Sequence, residues 1–258
     1  MQISVINLDE SVERLASISA QFERLGLAFT RFEAVRAGQG ADFFGRYDET
    51  QYLANTGRTA TAGEVACFAS HGHLWRRCAE LEEPMVILED DARLSPLFPV
   101  ALAVVASLLD AHGFIRLQEH GPARHVRTTR VATASPFEVH YYSRYPFGAM
   151  AYAISPRVAR RFIDRSRVLT GPVDVFIKKY WEHGQPLFGL TPSPVENGEL
   201  SSASTIERRD KAPPSTRLRV RRWRNKLEGL VARARFNAAV RAGRLDVISG
   251  MNRQHVAD

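Results

Sequence analysis

The chain has 258 residues, 45% hydrophobic and 24% charged, the balance of an ordinary globular protein long enough to bury a large core. No apolar run approaches the roughly 20 residues needed to cross a bilayer as a helix, and Met1-Gln2-Ile3-Ser4-Val5 has no basic leader region, so no signal peptide is expected. The net charge of +7 is uneven: from Glu207 onward there are 14 Lys and Arg against 5 Asp and Glu, while the remainder is close to neutral, which argues against a protein-wide nucleic-acid-binding surface.

Ile3–Leu8 reads as a strand. Val12, Leu15, Ile18, Phe22 and Leu25 recur at helical spacing, with Ser11 as the expected N-cap and Gly26 as the stop. Leu27–Val35 is expected as a second strand, giving a β-α-β opening. Residues 36–60 show no period and are expected as a long loop. Thr61-Ala62-Gly63-Glu64 is a capping box that starts a helix running to about Leu81. The two cysteines, Cys67 and Cys78, fall on that helix about 16 Å apart, too far to bridge, and are expected as core filler in a reducing compartment.

Pro84-Met85-Val86-Ile87-Leu88 reads as a buried strand that delivers Glu89, Asp90 and Asp91 at its carboxyl end. Ligands bind there in open α/β sheets. Adjacent carboxylates repel, so a hard divalent cation, Mn²⁺ or Mg²⁺, is the expected companion, with an acidic turn that merely solvates the strand end as the alternative. Further on, Pro96–His112 is helical and Phe114–Gln118, Phe137–Tyr142 and Gly148–Ile154 are strands. Ser155-Pro156 opens a helix to Arg165, a second helix spans Asp174–His183 up to Gly184, and Leu187–Leu190 is the last strand expected. The alternation predicts an α/β fold with a mainly parallel sheet. Asp210–Ser215 reads as a linker before a basic amphipathic helix, Arg217–Arg241, with Val220, Trp223, Leu227, Leu230, Val231 and Ala234 on one face.

These motifs carry a resemblance. Val5-Ile6-Asn7-Leu8-Asp9 with Ser11, Glu13 and Arg14 resembles the opening of glycosyltransferase family 25, the lipooligosaccharide and collagen galactosyltransferase group. So do Thr61–Cys67 running into Ser70, His71 and Trp75; Leu88–Ala92; the block Gly148, Tyr152, Ile154, Ser155; Pro172-Val173-Asp174; and the serine-rich Ser201–Ile206. The matches run in order across residues 3 to 206. The resemblance implies a GT-A fold (a Rossmann-like sheet flanked by helices) over residues 1–206, with 207–258 as linker and basic helical tail. It also implies a UDP-sugar donor, a divalent metal and inverting transfer of a hexose, galactose first, to a lipopolysaccharide or lipooligosaccharide core or related glycan.

On that footing Asp91 is the expected metal ligand, with Glu89 near the ribose or sharing the metal through water, and Asp90 facing either way. Asn7, Asp9 and Arg14 stand where a doubly wound half contacts its nucleotide. Glu64, Ser70 and His71 are further donor-site candidates, set against a capping role for Glu64 and a core role for His71. Asp174 is the expected general base, against a plain N-cap. Arg116 and Glu119 are candidates for donor or acceptor contact, and Glu196, Asn197 and Glu199 compete as third metal ligand. The basic tail is expected to hold the protein on an anionic membrane surface, the cytoplasmic face of the inner membrane, without nucleic acid as partner. The rivals are a non-catalytic nucleotide-sugar or membrane-binding protein of the same fold and a metal-dependent phosphotransferase or phosphohydrolase.

Overall fold

The computed structural model describes residues 1–119, 126–198 and 216–243. The chain opens with β1 (Gln2–Asn7), α1 (Val12–Arg24) and β2 (Thr30–Glu33), the expected β-α-β unit. Ser11 occupies the N-cap position of α1 but its side chain makes no capping hydrogen bond. The stretch 36–60 is not one long loop. It holds a 3₁₀ turn (Ala41–Phe43), the short strand β3 (Arg46–Tyr47) and helix α2 (Glu49–Thr56). Asp48 caps α2 by accepting from Gln51 N at 2.9 Å, and Gly57, at φ 84°, ends it. One helical turn more or less of apolar period was too short a signal; the Asp cap and the Gly stop carry it.

Helix α3 (Ala62–Glu80) starts on the predicted capping box, with Thr61 and Glu64 bonding each other's backbone N–H at 3.2 and 3.1 Å. Its Gly72 faces the Phe43 ring so closely that a Cβ there would lie 2.2 Å from a ring carbon. Strand β4 (Met85–Glu89) follows, then β5 (Ala92–Leu94), α4 (Phe98–His112) and β6 (Phe114–Arg116). Strand β7 (Arg127–Ala134) was not anticipated: it is exposed, Thr- and Arg-rich, and owes its form to pairing with β8 (Phe137–Arg144). Next come β9 (Ala151–Ile154), α5 (Pro156–Arg165), capped by Ser155 as predicted, and β10 (Val168–Leu169). The helix expected over 174–183 is two, α6 (Val173–Lys178) and α7 (Tyr180–His183), because Lys179 leaves helical geometry. β11 (Phe188–Thr191), β12 (Val195–Asn197) and α8 (Thr216–Arg241) complete the described elements.

The main sheet has eight strands in the order β2-β1-β4-β9-β6-β11-β8-β7. β9 pairs antiparallel with β4 and β6, and β8 antiparallel with β11 and β7, so the other strands share one direction. Strand alternation builds a core on each face. Met85 and Ile87 join Phe68, Trp75, Phe114 and Phe162 beneath α3 and α5. Val86 and Leu88 join Ile18, Phe22, Phe98 and Val105 beneath α1 and α4. The α/β expectation holds: a mixed sheet, mostly of one direction, between helical layers.

Helix α8 is seated on this body. Asn237 accepts from the Tyr141 hydroxyl at 2.6 Å and donates to Ser143 O at 3.0 Å, Phe236 packs on the Tyr180 ring, and Val240 is buried. Arg221 reaches Gln51 at 3.1 Å, and Arg222 lies over the end of α2, 3.0 Å from where a Cβ on Gly57 would stand. No described helix is long and apolar enough to cross a membrane. The linker 210–215 and the block Ser201–Ile206 lie outside the described residues.

Candidate active site

The acidic end of β4 is sorted by strand parity. Glu89 follows Ile87 to the α3 side, and Asp90 follows Leu88 to the α1 side. Asp90 therefore meets the β1–α1 junction: Asn7 Nδ2 donates to it at 2.6 Å and Arg14 pairs with it at 3.4 Å. Burial pushes the Asp90 carboxyl up, and Asn7 and Arg14 oppose that shift. The structure thus brings Asn7, Arg14 and Asp90 together and settles which way Asp90 faces.

Asp91 stands between these two sides. Its Oδ1 is buried with no hydrogen-bond partner among the described residues. Burial, reinforced by the charges of Glu89 and Asp90, pushes its carboxyl up to about 7, with Arg14 opposing. An orphaned, buried carboxylate oxygen among other carboxylates is the donor set a hard cation takes, so the residues present fit Mn²⁺ or Mg²⁺. A cavity of about 770 Å³ adjoins the tip, lined by Asp90, Asp91, Gln21, Arg24 and Glu196.

On the other side, His71 Nε2 lies 3.2 Å from Glu89 Oε1 and its Nδ1 lies 2.9 Å from the Tyr152 hydroxyl. Trp75 Nε1 donates to the same hydroxyl at 2.8 Å. Ser70 is a strut instead: it accepts from Val35 N and donates to Ala66 O, both at 2.9 Å. Cys67, one helical turn before His71, brings its sulfur into this group, and the ligand atoms of Cys67, His71 and Glu89 lie within 4.8 Å of one another. Burial holds the Cys67 thiol well above its ordinary range, as do the charges of Glu89 and Asp174, so it keeps its proton. Sequence reading took Cys67 for filler; its i, i+4 spacing to His71 was the available signal.

Asp9 is held by two residues that sequence reading passed over. Arg31 and Arg36 pair with its two oxygens at 2.5 and 2.9 Å, and Arg31 also donates to Asn7 Oδ1 at 2.9 Å. Glu64 is engaged by the chain itself: Arg58 grips both oxygens, Thr61 N donates, and the Tyr52 hydroxyl donates at 3.0 Å.

Asp174 is the second residue of α6, and the N-cap position belongs to Pro172. Its carboxylate accepts from Val175 N at 2.8 Å and from the backbone N–H of Gly148. Burial still pushes its pKa up, and the charge of Glu89 adds to the rise. Arg116 is not open to a ligand. Its guanidinium donates to Gln118 O, Glu119 O, Phe147 O, Gly148 O and the Tyr145 hydroxyl at 2.8–3.3 Å, which uses all five N–H groups. It clamps the 145–148 loop, whose Gly148 N–H donates to Asp174. Glu119 accepts from Asn197 N at 3.2 Å. Of the competing third ligands, Glu196 pairs with Arg93 at 3.2 Å and Asn197 accepts from Gln118 at 3.2 Å; Glu199 lies outside the described residues.

Residues 1–177 match the family described as "Glycosyltransferase family 25 (LPS biosynthesis protein)", a segment that ends inside α6 just after Asp174. A Glycosyltransferase 25 family member of Drosophila pseudoobscura pseudoobscura is 34% identical over 106 residues, 37% of this chain and 16% of that one. One from Aedes aegypti is 29% identical over 196 residues, 68% and 30% of the two chains. The lacto-N-neotetraose biosynthesis glycosyltransferase LgtB of Neisseria meningitidis serogroup B is 29% identical over 217 residues, 75% and 74%. The chain therefore spans less than a third of these insect relatives and about three quarters of the Neisseria protein. With more than half its length inside the family's segment and the acidic strand end, His71 and Asp174 all within it, this chain belongs to glycosyltransferase family 25.

Proposed function

We propose that this protein is an inverting glycosyltransferase that moves a hexose, galactose first among the expected donors, from a UDP-sugar to a lipopolysaccharide or lipooligosaccharide core or a related glycan. Membership of a family described as an LPS biosynthesis protein, and the lacto-N-neotetraose biosynthesis name of the Neisseria relative, support this class. The observation that carries the reading is the buried Asp91 Oδ1 at the carboxyl end of β4, which has no hydrogen-bond partner among the described residues. Asp91, with Glu89 beside it, would hold Mn²⁺ or Mg²⁺; when bound, that ion would offset the charge of the diphosphate leaving group.

The chain's own groups divide the remaining work. Asp174 takes the proton of the acceptor hydroxyl as that oxygen forms its bond to the sugar anomeric carbon and the bond to UDP breaks on the opposite side. A carboxyl raised by burial suits that task, because it accepts the proton more readily than a solvated one. His71 fixes the orientation of Glu89, and Asn7 and Arg14 fix Asp90, so the acidic tip is held ready before the donor arrives.

The same reading takes residues 1–206 as the catalytic unit and 207–258 as a tail that holds the protein to the cytoplasmic face of the inner membrane. Exposed Val220, Trp223, Leu227, Leu230 and Val231 beside the arginines of α8 support it. Co-sedimentation with anionic vesicles checks this part: a Val220→Asp/Leu227→Asp/Val231→Asp protein is expected to stay in solution where the parent pellets. Equal pelleting overturns it.

The decisive experiment for the main reading is a thermal-shift series with nucleotide sugars, with and without Mn²⁺. UDP-hexoses with Mn²⁺ are expected to stabilise the protein most, and Asp91→Asn is expected to remove the Mn²⁺-dependent part. Equal shifts with ADP- or GDP-sugars, or an Asp91→Asn protein that responds like the parent, overturn it.

A further inference from the structure

The helix α8 roofs a cleft of about 650 Å³ whose other walls come from α2, α6, α7 and the loop before β9. The cleft has a strongly one-sided charge. Arg144 and Lys178 face it from the body, and Lys226 and Arg233 from α8. None of these four makes an ion pair among the described residues, whereas the acid at the wall, Glu182, is already paired with Lys179 at 2.8 Å. Two aromatic faces accompany the cations: Phe147, 58% exposed, and Trp223, 65% exposed. Lys178 Nζ lies 3.2 Å from the Phe147 ring centroid. Burial lowers the Lys178 ammonium to about 8, with the charges of Arg144 and Arg233 adding to the fall and that of Asp174 opposing it.

The cleft also ends at the right place. Phe147 and Val175 line it, and the residues beside them, Gly148 and Asp174, are bonded to each other through the Gly148 N–H. The cleft therefore ends beside the pair of residues that hold the Asp174 carboxylate.

We infer that this cleft is the acceptor site and that its acceptor is a phosphorylated saccharide, with the sugar rings against Phe147 and Trp223 and a phosphate among Arg144, Lys178, Lys226 and Arg233. Exposed aromatic faces accept the apolar face of a sugar ring, and a set of arginines and lysines without carboxylate partners matches a phosphate's charge and its acceptor oxygens. The inference rests on the reading of the protein as a glycosyltransferase and names the chemistry of its second substrate. It also gives α8 a part in substrate recognition separate from any membrane contact.

Trp181 and Trp223 line the cleft and the third tryptophan, Trp75, is buried in the core, so tryptophan fluorescence reports on occupancy. The full chain is titrated with trehalose 6-phosphate, trehalose, inorganic phosphate and phosphatidylglycerol vesicles. Trehalose 6-phosphate is expected to bind at least tenfold more tightly than trehalose or inorganic phosphate. Lys226→Gln/Arg233→Gln is expected to abolish that preference while the UDP-hexose thermal shift stays at the parent value. Phe147→Ala, at an exposed position, gives an independent check and is expected to weaken both sugars while leaving inorganic phosphate unchanged. Equal binding of the two sugars, inorganic phosphate binding as tightly as the sugar phosphate, or a response to vesicles alone overturns the inference. Loss of the UDP-hexose shift in the parent protein instead strikes the underlying glycosyltransferase reading.

Discussion

His71 Nε2 lies 3.2 Å from Glu89 Oε1, and the direction of that bond is fixed from two residues away. Trp75 Nε1 can only donate, so the Tyr152 hydroxyl accepts from it at 2.8 Å. The hydroxyl proton is then free to go to His71 Nδ1 at 2.9 Å, which leaves the His71 proton on Nε2, aimed at the carboxylate. With the Tyr152 proton donated to His71 Nδ1 and the Nε2 proton donated to Glu89, every polar group in this chain is satisfied.

Tyr152→Phe breaks that arrangement at its middle. It strands the Trp75 N–H and His71 Nδ1 in the core, and a buried unsatisfied group costs about 1–3 kcal/mol. Denaturant unfolding is expected to show a loss of that order. The kcat is expected to fall as well, because His71 is then free to change tautomer and release Glu89. Parent-like stability with parent-like turnover would show that the hydroxyl links nothing.

Asp174→Asn keeps the shape of the side chain and its bond from Val175 N while removing the basic site. With Asp174 as base, kcat is expected to fall by about 10²–10⁴-fold with the UDP-sugar thermal shift unchanged. If Asp174 is the base, the acid limb of the parent's kcat/KM profile is expected to report the ionisation of this group. Burial raises its pKa, so the limb is expected above the ordinary carboxylate range, and it should vanish from whatever activity Asp174→Asn retains. A limb that survives the substitution would assign the base elsewhere.

Much of this site was legible in the sequence because its parts are local. The triple acid after an apolar run, the Thr61–Glu64 box and Ser155-Pro156 are each a few consecutive residues, and the structure has them where the pattern put them. What was not legible depends on contacts distant in sequence. The sorting of Glu89 from Asp90 needs to know which helix covers which face of β4. Arg116 reads as a donor or acceptor contact from its place at the end of β6, and only the return of residues 145–148 shows its donors consumed. Strand β7 carries little apolar alternation and exists through its partner β8. The cleft under α8 joins residues 144–147 and 178 to 222–233, and no spacing within one segment encodes that juxtaposition.

Arg116→Lys tests the clamp against a ligand role. Lysine keeps the charge but offers a single ammonium in place of a five-donor fork, so it cannot hold Gln118, Glu119, Phe147 and Gly148 at once. Stability is expected to fall by about 2 kcal/mol. The kcat is expected to drop more than donor affinity, because the displaced Gly148 no longer supports Asp174. If Arg116 instead met the donor's phosphate, the lysine variant would keep its fold and lose donor affinity first.

The protein is expected to weaken in mild acid through His183. This side chain is buried in α7 against the Phe162 and Phe176 rings, at centroid distances of 4.6 and 5.3 Å. Its Nε2 donates to Ile177 O at 3.0 Å and its Nδ1 accepts from Gln185 N at 3.3 Å, so the neutral ring is fully satisfied and a second proton would face an N–H. Burial lowers its pKa from 6.5 to about 4, with the nearby charges of Arg161 and Arg165 acting the same way against the bond to Ile177 O. Because the folded value is the depressed one, the stabilisation is present above pH 6.5 and is lost as pH falls toward 4, when the unfolded chain takes up the proton first. The shift corresponds to about 3 kcal/mol across that window. Urea midpoints measured from pH 7 to pH 4 are expected to fall for the parent, and a His183→Gln protein, weaker at pH 7, is expected to show a flatter slope. Because α7 follows α6 directly, the acid-induced loosening should appear in activity before global unfolding. Parallel pH slopes for the two proteins would remove His183 as the cause.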